Sequence, residues 1–418
     1  MTPVQQKKPK QLRPPRKKAC KNCTSSKVRC SLDRPTCSRC RSLGKVCEYA
    51  TPRAGLTQWN PDPLSPGSVL DLSFDRSLHS NSIPSDLTNP QVNAFSTPGQ
   101  SHESGLYAEQ NSELDFTAVD LVPNHEAECI RDRWLRPYIT PSLAGEEVPK
   151  VYHPFTLQYL GRVLATYPQR MIRDGDVPPI FHHTQVFAGQ MSSALANCFT
   201  IVRMWKSAAP GSGCFVVSTV RREMDRLAPE APGEQEIERL SAFQAYLIYL
   251  LLLHLSPIPL QTLEQGKVTD QDMITLMDLA FRTARNSLIL ASETSHKRPS
   301  WESWIMASTK RRAIYVMYLF SSLYNAENGL PNFVAEELRD LPVPERNGLW
   351  EATTRTEWER VYDLHLQEWP DGPLRIHELW KSEETGSPRR RERIERWLRG
   401  VDDFGMMLFS VCAHIHGC

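Results

Sequence analysis

The 418 residues, 40% hydrophobic and 23% charged, are enough for two or three domains with at least one sizeable core, and they exclude a wholly disordered chain. The formal net charge of +1 hides an asymmetry: residues 1–53 hold 15 Lys and Arg against Asp33 and Glu48, a block of +13 that leaves −12 for the rest. A basic module on an acidic body points to a polyanion, nucleic acid above all, as the partner of the N-terminal block alone.

Residues 1–19 carry the basic runs Lys7-Lys8-Pro9-Lys10 and Arg13-Pro14-Pro15-Arg16-Lys17-Lys18, whose prolines forbid a regular helix. This segment is expected to be a basic arm that serves nuclear import and lays Arg16, Lys17 and Lys18 on phosphates; a merely solubilising tail is the alternative. It has no apolar stretch of the kind a secretory signal needs, so the protein is expected to stay inside the cell.

Six of the 11 cysteines then follow as Cys20-x2-Cys23-x6-Cys30-x6-Cys37-x2-Cys40-x6-Cys47, two copies of one Cys-x2-Cys-x6-Cys half. In a reducing compartment such crowding argues for metal rather than disulfides. A tetrahedral zinc takes four ligands, so two zinc ions present eight positions to six thiolates, and the count closes if two cysteines bridge. Each Cys-x2-Cys is expected to open a short helix, with the third cysteine returning after roughly two turns. Lys21, Lys27, Arg29, Arg34, Arg39 and Arg41 lie among the ligands, with Lys45 just before the last. So small a module has almost no apolar core, and metal must supply most of its folding free energy. DNA contacts are expected from Lys21, Lys27 and Arg29 besides the arm. The alternative is a zinc module for protein contacts, but those use histidine ligands and unequal spacings, and residues 1–53 contain no histidine.

The wording Cys-Lys-Asn-Cys-Thr-Ser-Ser-Lys-Val-Arg-Cys, then Arg-Pro-Thr-Cys-Ser-Arg-Cys and Cys47-Glu48-Tyr49, resembles the fungal zinc binuclear cluster transcription factors, and among them the regulators of secondary-metabolite gene clusters such as the aflatoxin pathway regulator. The resemblance implies that Cys20 and Cys37 bridge the two metals and that Lys27 reaches the base edges of CGG-like or TCG-like sites in the major groove. Many members carry a second basic residue where this chain has Ser26. In the body, Trp301-Glu302-Ser303-Trp304, Arg311-Arg312, Leu341-Pro342, Leu349-Trp350 and Trp358 resemble the all-helical regulatory domain of that family, although their aromatic spacing reads more simply as core packing.

From Thr51 the composition changes to eight prolines, eleven serines and no lysine by Pro123, the signature of a disordered linker over 51–125. Near its end, residues 113–121 interleave acids with Leu114, Phe116, Val119 and Leu121. Such a patch suits an activation segment that folds on a coactivator, or a short helix that docks on the following domain.

An all-α regulatory domain is expected over 127–418. Amphipathic stripes run through Met273, Ile274, Met277, Ala280, Phe281, Ala284 and Leu288, and again from Trp301 to Tyr324, where Gly329 and Pro331 end the helix. Further helices are expected at 151–172, 185–206, 238–255, 355–369 and 389–412, with strand-like alternation confined to Cys214–Val220. The apolar run Leu240–Leu255 is short for a membrane span and reads as a buried helix. No heptad follows the cluster, which leaves a homodimer through the body, or a monomer, open.

Two constellations are set aside. Cys412, His414, His416 and Cys418 have the one-residue gaps of extended chain at a loosely organised end. Arg389 to Arg399 is interrupted by Glu392 and Glu395 and reads as a charged helix face rather than a DNA surface. No nucleophile elbow, phosphate loop, zinc-protease helix or dinucleotide fingerprint occurs, so no catalytic residues are assigned and an enzyme is not expected. The reading is a nuclear, DNA-binding transcription factor with two zinc ions, an activator of a secondary-metabolite cluster; the alternatives are a zinc-dependent scaffold and a regulator of primary metabolism.

Overall fold

The computed structural model describes residues 19–26, 28–32, 37–45, 47, 114–122, 127–139, 150–187, 191–209, 211–230, 235–256 and 266–416. The chain divides into two units, Met1–Glu103 and Ser104–Cys418. In the first, the described elements are the one-turn helices α1 (Lys21–Ser25) and α2 (Ser38–Ser42).

The second unit is helical. It runs through α3 (Ala127–Ile139), α4 (Pro154–Leu164), α5 (Tyr167–Arg170), α6 (His183–Phe187), α7 (Ser193–Lys206) and α8 (Gly213–Leu227). It continues with α9 (Glu236–Leu255), α10 (Asp270–Ala284), α11 (Ala291–Thr294) and α12 (Trp301–Asn328), then α13 (Asn347–Trp350), α14 (Arg355–Glu368), α15 (Pro388–Leu398) and α16 (Asp403–His416). Among the described residues the only β pairings are isolated bridges. Helix α9 packs against α4, α5, α7, α8, α10 and α12, which explains why everything from Leu240 to Leu253 is buried. No helix among the described residues is long and apolar enough to cross a membrane.

Helix starts follow local chemistry. Ser300 Oγ accepts the Ser303 N–H at the head of α12 (3.2 Å), and Thr269 and Asp272 cap α10 reciprocally, with Asp272 Oδ2 accepting the Thr269 N–H at 2.8 Å. Helix α12 ends at Gly329, whose φ of 71° is the left-handed conformation glycine adopts without strain.

Several expectations are corrected. The stretch 151–172 is α4 and α5, because Pro168 cannot donate to a continuing helix. The stretch 185–206 is also two helices, with Ser192 capping the second. Residues 389–412 split into α15 and α16: Asp402 Oδ1 takes the Gly405 N–H (2.9 Å) and starts a new helix. Cys214–Val220 lies inside α8, where Val216, Val217, Val220, Met224 and Leu227 form one buried stripe, so tertiary burial overrides β-branched propensity. The C-terminal cysteine and histidines are helical, not extended. His416 stacks on Trp380 (5.7 Å), His414 faces His153 (5.4 Å), Cys412 is buried, and Cys418 lies outside the described residues. The tryptophans expected as core packing are core: Trp301, Trp304, Trp350 and Trp358 share one buried cluster with Leu349.

Three consecutive cations in the middle of α12 are buried, and each holds a different element. Lys310 Nζ pairs with Glu236 at the start of α9 (2.6 Å). Arg311 makes two bonds to Glu293 of α11 (2.9 Å each) and one to Glu345 (2.5 Å). Arg312 pairs with Asp402 before α16 (2.6 Å) and lies over the Trp350 ring at 3.9 Å. Burial pushes the Lys310 ammonium below its ordinary value, opposed by Glu236.

The Arg389–Arg399 run is likewise not a simple exposed face. Arg390 is 4% exposed and donates to the carbonyls of His377, Glu378 and Trp380, while Arg393 grips the Glu378 carboxylate at 2.8 and 2.9 Å. These two arginines fasten α15 to the short 3-10 helix Ile376–Leu379 and its cap Trp380.

A candidate metal centre and nucleic-acid interface

The two half-clusters fold alike because the same residues repeat at an offset of 17. Cys20 precedes α1 and its Sγ accepts the Cys23 N–H (3.4 Å); Cys37 precedes α2 and accepts from Cys40 at the same distance. The carbonyl of Cys20 takes the Thr24 N–H and that of Cys37 the Arg41 N–H, both at 3.0 Å. Beyond each helix the chain turns back, with Val28 N–H on the Cys23 carbonyl (3.0 Å) and Lys45 N–H on the Cys40 carbonyl (2.9 Å). Each helix is a single turn, so the third cysteine returns through a turn and not through the two-turn helix expected. Ser31, which the sequence did not single out, links the halves by accepting the Ser38 N–H at 3.0 Å.

The six thiols form two overlapping sets of four: Cys20, Cys23, Cys30 and Cys37, then Cys20, Cys37, Cys40 and Cys47. Within each set every Sγ lies within 4.8 Å of the others. Four sulfurs are what one tetrahedral zinc takes, and the two residues common to both sets are Cys20 and Cys37, whose Sγ atoms are 3.8 Å apart. The thiols by themselves cannot all ionise. The Cys37 thiol is drawn down to about 6, chiefly by the Cys40 N–H that donates to its sulfur, whereas burial raises Cys23 and lifts Cys40 to about 12. Crowded thiols oppose one another's ionisation, and divalent cations relieve that opposition, so a donor set of four sulfurs around each position fits zinc. When bound, zinc supplies the cross-links that the missing apolar core would otherwise provide.

Around this sulfur centre Lys21, Arg29, Arg39, Arg41 and Lys45 are exposed. The site therefore pairs a largely buried sulfur interior with a cationic surface, which suits a phosphate backbone. The expected contacts Arg16, Lys17, Lys18 and Lys27 lie outside the described residues, as do Arg34 and the rest of the 33–36 connection.

Comparison with known proteins agrees with this geometry. Residues 18–55 match the fungal Zn(2)-Cys(6) binuclear cluster domain, which binds two zinc ions, and residues 230–387 match the fungal specific transcription factor domain. The chain is 32% identical over 123 residues to the transcription factor FUP7 of Fusarium proliferatum, covering 28% of this chain and 46% of that protein. It is 60% identical over 38 residues to the trypacidin cluster transcription factor of Aspergillus fumigatus, 9% of this chain and 10% of the relative. It is 34% identical over 84 residues to the aflatoxin biosynthesis regulatory protein of Aspergillus flavus, 19% and 17% of the two chains. In each case the match spans less than half of the relative. No solved structure matches the chain. The chain thus carries a zinc-cluster domain at one end and a fungal specific transcription factor domain in its helical body, and over those parts it is similar to fungal zinc-cluster transcription factors.

Proposed function

We propose that this protein acts in the nucleus as a sequence-specific regulator of RNA polymerase II genes and activates a secondary-metabolite gene cluster. Its basic arm (1–19) supplies phosphate contacts through Arg16, Lys17 and Lys18. In the cluster (20–47), Cys20, Cys23, Cys30, Cys37, Cys40 and Cys47 hold the two zinc ions, with Cys20 and Cys37 bridging. Lys27, with Lys21 and Arg29 beside it, reads a CGG-like or TCG-like site. A linker (51–125) leads to the regulatory body (127–418), its 113–121 stretch engages a coactivator, and a homodimer would form through the body.

The observation that carries this reading is the pair of thiol sets sharing two cysteines under a shell of exposed Lys and Arg. A structural zinc module for protein contacts needs the first feature but not the second. The test is binding of the full chain to a duplex carrying candidate sites and to a scrambled duplex over a range of salt. Preference for one duplex together with a steep salt dependence supports the proposal. Zinc content with no DNA affinity would leave the scaffold reading in its place.

A further inference from the structure

The acidic-hydrophobic stretch is not free of the body. Residues 114–122 run along it without helix, bent at Thr117 and Ala118, not as the helix that a docked segment was expected to make. Leu114, Phe116 and Leu121 pack against the cluster that contains Leu290, Trp301 and Trp304, and Val119 packs against the main core. Asp115, Thr117, Ala118 and Asp120 are exposed. Strand-like alternation thus puts the apolar residues inward and the acids outward. The alternation slips once, at Thr117 and Ala118, where Asp115 Oδ1 accepts both the N–H (2.8 Å) and the hydroxyl (2.6 Å) of Thr117.

The backbone is held as well. The Asp120 N–H donates to Ser303 Oγ on α12 (3.1 Å), and the Asp120 carbonyl accepts the Ala291 N–H (3.3 Å). Asp120 Oδ2 takes the Ser292 N–H (3.3 Å), Leu121 bridges antiparallel to Leu290, and the Val122 N–H donates to the Ile289 carbonyl (3.0 Å). The attachment is therefore specific in register. It is also shallow, since Leu114, Phe116, Val119 and Leu121 are each only half-buried.

We propose that the 289–292 segment and the head of α12 form a docking groove for residues 114–122 of the same chain, and that this groove and a coactivator compete for the same four apolar side chains. Leu114, Phe116 and Leu121 cannot face Leu290 and Trp301, nor Val119 the main core, and a second protein at once. The docked form is the silent one, and release of a few backbone hydrogen bonds converts it to the active one. This inference rests on the proposed coactivator role of 113–121.

The test uses the full chain with one change on each side of the contact. Val122→Pro removes the N–H that bonds Ile289 and leaves the four apolar residues untouched. Ser303→Ala removes the acceptor for Asp120 while Ser300 still caps α12 through the Ser303 backbone. Hydrogen exchange at 114–122 should quicken about fivefold for one lost net hydrogen bond. Output from a reporter driven by sites selected in vitro with the full chain should rise in both variants, with DNA affinity unchanged. Exchange that is already as fast in the unaltered chain as in an unstructured peptide would overturn the docking. Faster exchange with unchanged or lower output would overturn the competition. Adding Phe116→Ala to Val122→Pro should abolish the gain. A gain that survived this change would instead sink the coactivator role, which separates the two failures.

Discussion

Cys20 Sγ lies 3.8 Å from Cys37 Sγ, and each of these sulfurs also accepts the N–H of the cysteine three residues on. The two atoms that join the thiol sets are thus held by the helix starts that follow them, which fixes the centre of the cluster from both halves. The outer cysteines belong to one set each.

A graded response to cysteine loss follows. Cys20→Ala or Cys37→Ala should cost the protein both zinc ions, while Cys30→Ala or Cys47→Ala should leave one set of four complete and retain up to one. Metal analysis of the purified full-length variants decides. Retention of one zinc by Cys37→Ala would refute its bridging role.

In the body, Arg311→Met would strand the carboxylates of Glu293 and Glu345 beneath α12. Removing one partner of a buried ion cluster typically costs about 3–5 kcal/mol, and urea unfolding should show a loss of that order. Adding Glu345→Gln should recover part of it, since a neutral amide tolerates burial better than an unpaired charge. A loss below about 1 kcal/mol, the range of surface pairs, would mean the cluster is solvated in solution.

These cations also show where sequence reading reaches its limit. Helix α12 and its stop at Gly329 are legible because apolar periodicity and a glycine stop are local signals. Lys310, Arg311 and Arg312 lie in that same helix, yet nothing local reveals that Glu236, Glu293, Glu345 and Asp402 converge on them. The same blindness turned Arg390 and Arg393 into a charged helix face. The metal centre was more legible than the fold, since ligand spacing carries its chemistry in sequence. The docked 114–122 segment was half legible: its composition is local, but its non-helical form depends on partners at 289–292.

Acid should weaken the body through its histidines before its carboxylates. Burial lowers His182 well below its ordinary value and takes His365 and His416 to about 4. In the unfolded chain these groups bind protons below about pH 6.5, and in the folded protein they do not, so stability present above that pH is lost as pH falls toward 4. The carboxylates of Glu236, Glu345 and Glu378 have lowered values and add their loss only below the ordinary carboxylate range. The thermal midpoint should therefore drop between pH 6.5 and 4.5, and His365→Gln should make that drop shallower. A midpoint flat across this window would contradict burial of the neutral rings.

Arg390→Ala and Arg39→Ala should separate structure from DNA contact. The first removes a buried clamp on three carbonyls and should lower the thermal midpoint without changing DNA affinity. The second removes an exposed cation beside the sulfur centre; if it meets a phosphate, the salt slope of binding should shrink by about one. Loss of DNA affinity in a folded Arg390→Ala protein would return the Arg389–Arg399 run to the interface.

The two halves of the cluster do not offer the same side chains at matching positions. The offset of 17 that carries Cys20, Cys23 and Cys30 onto Cys37, Cys40 and Cys47 carries Lys27 onto Gly44, a residue with φ of 57° and no side chain. Whatever the folds share, only the first half has a donor at that position. A lysine directed at guanine O6 and N7 is worth about 1–3 kcal/mol of discrimination. Cations that meet only phosphates fix no single base and add mainly affinity. Lys27→Ala should therefore erase the preference for a CGG-like or TCG-like site over scrambled DNA, whereas replacing Arg16, Lys17 and Lys18 together should weaken binding to every sequence and flatten its salt dependence. Gel-shift titrations of both variants against both duplexes decide between base reading and phosphate contact. An equal fall on the two duplexes for Lys27→Ala would make that lysine one more phosphate contact, and sequence choice would have to be sought in Lys21 and Arg29, the exposed cations of the same half.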